Sequence, residues 1–162
     1  MGKTPLFLIC LILTLMLPVN AAAKVSANEN EVPEDVLASC VKWGAEYDIC
    51  PELLEAICFN ESRYIPTVEN GTCKGLMQIN IVFFKDRIEK FKITDIYDID
   101  SNIHLGADYL AELFNEYEDV GAVIGYYHGE ANAADKAMQG NLSSYTKKIL
   151  KKAESLERSH GK

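Results

Sequence analysis

A carboxylic acid stands where a helix is expected to bury apolar side chains, and that conflict constrains this chain more than any other stretch of it. From Pro51 the chain reads Pro-Glu-Leu-Leu-Glu-Ala-Ile-Cys-Phe-Asn-Glu-Ser-Arg-Tyr. Pro51 suits the first turn of a helix, where a missing N–H costs little. Leu54, Ile57 and Cys58 recur at the spacing of one helical face. Glu61 continues that stripe, whereas Glu52 and Glu55 fall mostly off it. Burial disfavours the ionised carboxyl and raises its pKa. An acid kept protonated near neutral pH is a candidate general acid. The ordinary alternative is a glutamate that turns outward or pairs with Arg63, since charged residues mostly stay exposed.

The stretches around this helix are also helical in pattern. Residues 33–47 carry a stripe through Val36, Leu37 and Val41, and the turn at 48–51 folds them against the Pro51 helix as a helical hairpin. Pro66 and Asn70-Gly71 punctuate a loop or small hairpin between residues 64 and 74. Asn80 is placed to cap a third helix through Val82, Phe83 and Ile88. Asp100 or Ser101 is placed to cap the longest helix, with Ile103, Ala107, Leu110 and Leu113 on its buried face. Residues 119–128 form a short apolar helix in which Gly121 and Gly125 permit close approach of another helix. A further short helix spans 131–138, and Ser143 or Ser144 caps a last one through Tyr145, Ile149, Ala153 and Leu156. Without any long alternating run, the pattern predicts a mostly α single domain with a small loop or hairpin beside the Glu61 helix.

The chain has 162 residues, of which 1–23 have the layout of a secretory signal peptide: Lys3, an apolar run from Leu6 to Val19, then Ala21-Ala22-Ala23. The expected organisation is a leader at 1–23, a flexible segment at 24–33, a domain at 34–158 and a tail at 159–162. Beyond the leader, 15 basic residues face 24 acidic ones, a balance that excludes nucleic acid as the main partner. Export predicts a secreted or wall-space location. It also makes disulfides the expected state of Cys40, Cys50, Cys58 and Cys73, for which three pairings exist. Cys40–Cys50 with Cys58–Cys73 is the pairing expected here. No paired-cysteine or histidine spacing points to a metal, and no cofactor is expected.

Four segments carry a resemblance. Glu61-Ser62-Arg63-Tyr64 is similar to the catalytic Glu-Ser-x-aromatic motif of the soluble lytic transglycosylase and goose-type lysozyme group. Gly75-Leu76-Met77-Gln78-Ile79-Asn80 contains its Gly-Leu-Met-Gln motif. Asn102-Ile103-x-x-Gly106-x-x-Tyr109-Leu110 resembles its Asn-x-x-x-Gly-x-x-Tyr-Leu segment. Tyr127-His128-Gly129 resembles its Ala-Tyr-Asn-Ala-Gly motif, with histidine in place of asparagine and one residue fewer; Tyr126 is the rival assignment for the tyrosine.

The resemblance implies a lysozyme-like fold and a single-acid mechanism. Glu61 would protonate the oxygen between MurNAc and GlcNAc of peptidoglycan, then accept a proton from the 6-hydroxyl of that MurNAc as a 1,6-anhydro ring closes. Ser62, Met77, Gln78, Tyr126, Tyr127 and His128 would contact substrate, with Tyr127 directed at Glu61 or the N-acetyl group. Hydrolysis by water, as in the goose-type lysozymes, is the alternative activity, with Asp86, Asp95, Asp98 and Asp100 available as further acids. A non-catalytic wall-binding module is the alternative of another class. The size fits a monomer acting locally, beside a secretion or conjugation apparatus.

Overall fold

A computed structural model describes residues 31–162; the leader at 1–23 and most of the 24–33 segment lie outside the described residues. Helices α1 (Glu34–Tyr47) and α2 (Pro51–Ser62) form the expected hairpin. Asp48 turns the chain between them in a left-handed conformation, its N–H returning to Gly44. Three two-residue strands follow, β1 (Glu69–Asn70), β2 (Cys73–Lys74) and β3 (Ile79–Asn80), antiparallel in the order β1-β2-β3. Then come α3 (Lys85–Lys90), α4 (Ile99–Glu116), α5 (Val120–Tyr127), α6 (Ala133–Met138) and α7 (Ser144–Ser159).

Helix α2 is the centre of the packing, with α1 on one side and α7 on the other. Helix α4 lies against α1 and α5, and α5 against α6 and α7. Leu54, Ile57, Ile103, Leu110, Ile124, Ile149 and Leu156 fill the space between them and are fully buried. The glycine expectation holds at Gly125, where a side chain would meet Ala133 of α6; at Gly121 the close neighbour is Leu142, in the connection before α7 rather than in a helix.

Because α2 is enclosed on several sides, its polar positions are buried as well. Glu52 and Glu55, expected off the buried stripe, are 1% and 0% exposed. Burial pushes the Glu52 carboxyl up, but hydrogen bonds from Cys50, Lys162 and His160 outweigh it and hold the group at about 2. Those partners bring the end of α7 down onto the start of α2. Glu55 has no hydrogen bond to either oxygen, and burial, above all else, raises it to about 6.

Glu55 carries a stability prediction. Its unfolded form releases the proton near 4.5 and its folded form near 6, so stability falls as pH rises through that window. Comparing urea melts at pH 4 and pH 7, Glu55→Gln should move in the variant's favour by up to about 2 kcal/mol at the higher pH. An equal effect at both values would exclude ionisation as the cause.

Three expectations need correction. The bridges Cys40–Cys50 and Cys58–Cys73 are not formed, and all four cysteines are free thiols. Cys40 lies as far before the hairpin turn as Cys58 lies after it, so it faces Cys58 across the α1–α2 interface and hydrogen-bonds it. Cys50 instead donates to Glu52 at 3.0 Å, and Cys73 belongs to β2. Asn80 caps no helix: its side chain accepts from Val82 and Phe83 in a tight turn, and α3 begins only at Lys85. The cap of α4 is Asp98, whose carboxylate accepts from Ser101, rather than Asp100 or Ser101.

Candidate active site

A cleft of about 450 Å³ opens between the end of α2, the three-stranded sheet, α4 and the end of α5. Glu61 lies in the last turn of α2. Arg63 and Tyr64 both take left-handed backbone, at φ 55° and 62°, and so stop the helix just beyond it. Among the residues lining the cleft, Glu61 is the one carboxylic acid. Its neighbours there include Gln78, Asn80, Phe83, Tyr109, Tyr127 and His128. Burial raises the Glu61 pKa; a hydrogen bond from Tyr145 and the charge of His128 act against that rise.

The acids that might have shared its work are engaged elsewhere. Asp100 accepts from Ser39, Lys42 and Trp43 and ties α4 to α1. Asp98 caps α4, Asp95 accepts from the N–H of Tyr97, and Asp86 stands in the first turn of α3. None of them lines the cleft.

The Gly75–Asn80 loop is held by α4, which explains why its motif and that of α4 occur together. The Asn102 amide accepts from Met77 N–H at 2.8 Å and donates to Lys74 and Ile96 carbonyls at 3.1 and 2.8 Å. Gly75 adopts φ 78°, and a Cβ there would collide with that amide. Gly106 is small for the same kind of reason, because the Met77 thioether rests on its Cα. Asn102, the fourth residue of α4, is therefore a clamp on the loop.

The structure separates the expected contact residues. Gln78, Tyr126, Tyr127 and His128 line the cleft with Glu61. Met77 lines its floor with a side chain 1% exposed, and is mainly core. Gln78 is fixed at φ 50°, its amide nitrogen donating to Val68 and Gly75 carbonyls. Ser62 is off the cleft: its hydroxyl is buried and donates to Cys58 O one turn back, at 2.9 Å. Tyr127 does not reach Glu61, since its hydroxyl donates to Met77 O at 2.9 Å.

The tyrosine on Glu61 is Tyr145, from the first turn of α7, with its hydroxyl donating to Oε1 at 2.5 Å. Ser143 caps that turn by accepting from Thr146. His128 stacks flat on Tyr145, with ring centroids 3.7 Å apart and planes 10° from parallel. Two signals for Tyr145 were present in the sequence: it shares the stripe of Ile149 and Leu156, and a buried phenol needs a partner. The opposite wall is aromatic, where Phe83, Phe84 and Tyr109 meet edge to face at 5.3–5.4 Å. Phe83, expected within the third helix, lies in the turn before it and is 59% exposed.

The sequence model of the family described as "Transglycosylase SLT domain" matches residues 39–150. A protein named "Transglycosylase" from Enterobacteria phage PRD1 is 32% identical over 108 residues, covering 66% of this chain and 38% of the relative. Membrane-bound lytic murein transglycosylase F of Desulfosudis oleivorans is 33% identical over 70 residues, or 43% of this chain and 14% of that protein. This chain thus spans well under half the length of either relative. Among solved structures, an inactive glutamate-to-glutamine mutant of lytic transglycosylase Slt from Pseudomonas aeruginosa superposes with a TM-score of 0.66. It has 19% identity over 76% of this chain and 24% of that one. A 70-kDa soluble lytic transglycosylase bound to bulgecin A gives a TM-score of 0.65 at 18% identity, over 77% of this chain and 24% of that one. The fold is therefore the lytic transglycosylase fold.

Proposed function

This chain belongs to the transglycosylase SLT domain family, and we propose that it is a lytic transglycosylase that cleaves the MurNAc–GlcNAc bond of peptidoglycan without water. The observation that carries the reading is Glu61, the one carboxylic acid on the cleft wall, half-buried and tethered by Tyr145. Glycosidases usually divide acid and base work between two carboxyls. Here the protonated Glu61 gives its proton to the bridging oxygen as the bond from C1 to that oxygen breaks. The carboxylate then takes the proton of the 6-hydroxyl as O6 bonds to C1, which closes the 1,6-anhydro ring and returns Glu61 to its starting state. An internal nucleophile needs no second carboxylate to activate it, because proximity replaces a bound and ionised water. Gln78, Tyr126 and His128 are assigned to substrate contact. Tyr127 and Asn102 hold the loop that carries Gln78.

Mass spectrometry of the products from purified peptidoglycan tests this. Muropeptides ending in 1,6-anhydro-MurNAc are expected. Reducing ends would convert the reading to a lysozyme-type hydrolase, and no release at all would leave a wall-binding module. We assign the activity to the exported side of the membrane on the leader pattern at 1–23. N-terminal sequencing of secreted protein should then find residues 1–23 removed.

Tyr145→Phe carries a second expectation. The Tyr145 hydroxyl holds the Glu61 pKa down, so its loss raises that pKa and keeps Glu61 protonated to higher pH. The alkaline limb of kcat/KM should move upward. The rate at the optimum should fall roughly tenfold, the scale of one hydrogen bond to an ionised group. An unmoved pH profile would remove Tyr145 from control of Glu61.

A further inference from the structure

A second groove, of about 290 Å³, lies between the end of α2 and α7. Arg63, Lys148, Lys151 and Lys152 surround it, and among the described residues no acid lines it. This local excess of positive charge occurs on a chain whose net charge is −8. Phe59 forms part of its wall, between the Arg63 guanidinium at 4.2 Å and the Lys152 ammonium at 3.8 Å from its ring centre. The aromatic face thus holds two of the cations in fixed places.

Groove and cleft both draw on the end of α2. Asn60 lines the groove and the next residue, Glu61, lines the cleft. On α7, Tyr145 bonds Glu61 and Lys148 follows one turn later, about 5 Å along the axis. A ligand whose sugar occupies the cleft can therefore reach the groove only with something attached close to the bond being cleaved. Arg63, Lys148 and Lys151 by themselves call for a flexible group with more than one negative charge. Peptidoglycan carries such a group on MurNAc, a short peptide with several free carboxylates.

We propose that this groove binds the carboxylates of the peptide borne by the sugar at the cleavage site, so that the protein selects peptide-bearing over bare glycan. This inference rests on the transglycosylase reading for its substrate, but its test does not depend on turnover. Binding is measured calorimetrically in a Glu61→Gln background with soluble glycan fragments, either bearing their peptides or stripped of them by an amidase. The Lys148→Glu/Lys151→Glu variant changes two exposed side chains, and its thermal melt checks the fold. Lys147→Glu, an exposed lysine of the same helix that does not line the groove, is the control for net charge.

For peptide-bearing fragments Kd is expected to rise about five- to tenfold in the double variant, the scale of two lost surface charge contacts. The salt dependence of binding should become shallower. Bare fragments should bind both proteins equally. Equal weakening with both fragments, no weakening, or the same loss in Lys147→Glu would overturn the proposal. So would stronger competition by polyglycerol phosphate than by the free peptide, which would assign the groove to a phosphate polymer. An absence of cleavage products with unmodified Glu61 would overturn the transglycosylase reading alone.

Discussion

Glu61→Gln should abolish release of muropeptides, lowering kcat by at least about a thousandfold while substrate binding persists. Positioned acid–base catalysis commonly supplies about 10²–10⁴ in rate. In the proposed mechanism one group serves the departure of the leaving oxygen and the deprotonation of the 6-hydroxyl, so both steps would lose their catalyst together. The cleft offers no replacement, since Glu61 is the one acid lining it. Glutamine keeps the shape and can still accept from Tyr145, so a loss of activity cannot be attributed to a collapsed site. Stability should stay within about 1 kcal/mol of the parent, because burial already disfavours the ionised form of Glu61. Kinetics on soluble glycan fragments alongside a thermal melt would decide it. Residual activity within tenfold of the parent would mean that the catalyst is another group.

Most of the helices were legible in the sequence from their apolar stripes, and at α5 and α7 the caps agree with the stripes. Asp119 and Ser143 each accept from the residue three positions on, as capping residues do. Glu61 was legible for a different reason, as a charge in conflict with its stripe. The same reasoning failed for Glu52 and Glu55, because periodicity assumes that one face of a helix meets water and α2 is enclosed by α1 and α7. Turn chemistry misled at Asn80, whose short side chain serves an isolated turn as readily as a helix start. Cysteine count revealed nothing of pairing, which depends on which residues face each other across the hairpin. The identity of the tyrosine on Glu61 was legible only in part. Tyr127 and Tyr145 both come from apolar helix faces, and only the packing of α7 on α2 decides which hydroxyl meets the acid and which meets Met77 O.

Asn102→Ala is expected to cost about 3 kcal/mol of stability and most of the activity, although Asn102 does not line the cleft. Its amide makes three hydrogen bonds at full burial, to Met77 N–H and to the Lys74 and Ile96 carbonyls. Alanine leaves those buried backbone groups without the amide that paired them, and each buried orphan costs about 1–3 kcal/mol. Three such losses overlap rather than add, because the loop can relax. A destabilisation of that size should lower Tm by roughly 10 °C in a domain of this length. The route to activity is mechanical. Freed of Asn102, the Met77 peptide can move, and the carbonyl that anchors Tyr127 moves with it. Gln78, held in left-handed backbone by the same loop, would lose its place on the cleft wall. Asn102→Asp separates the two roles: a carboxylate can still accept from Met77 but cannot donate to Lys74 and Ile96. It should recover part of the binding to glycan fragments while remaining unstable. If Asn102→Ala melted like the parent and cleaved at the parental rate, the loop would be held by something other than α4, and the joint occurrence of the two motifs would need another cause.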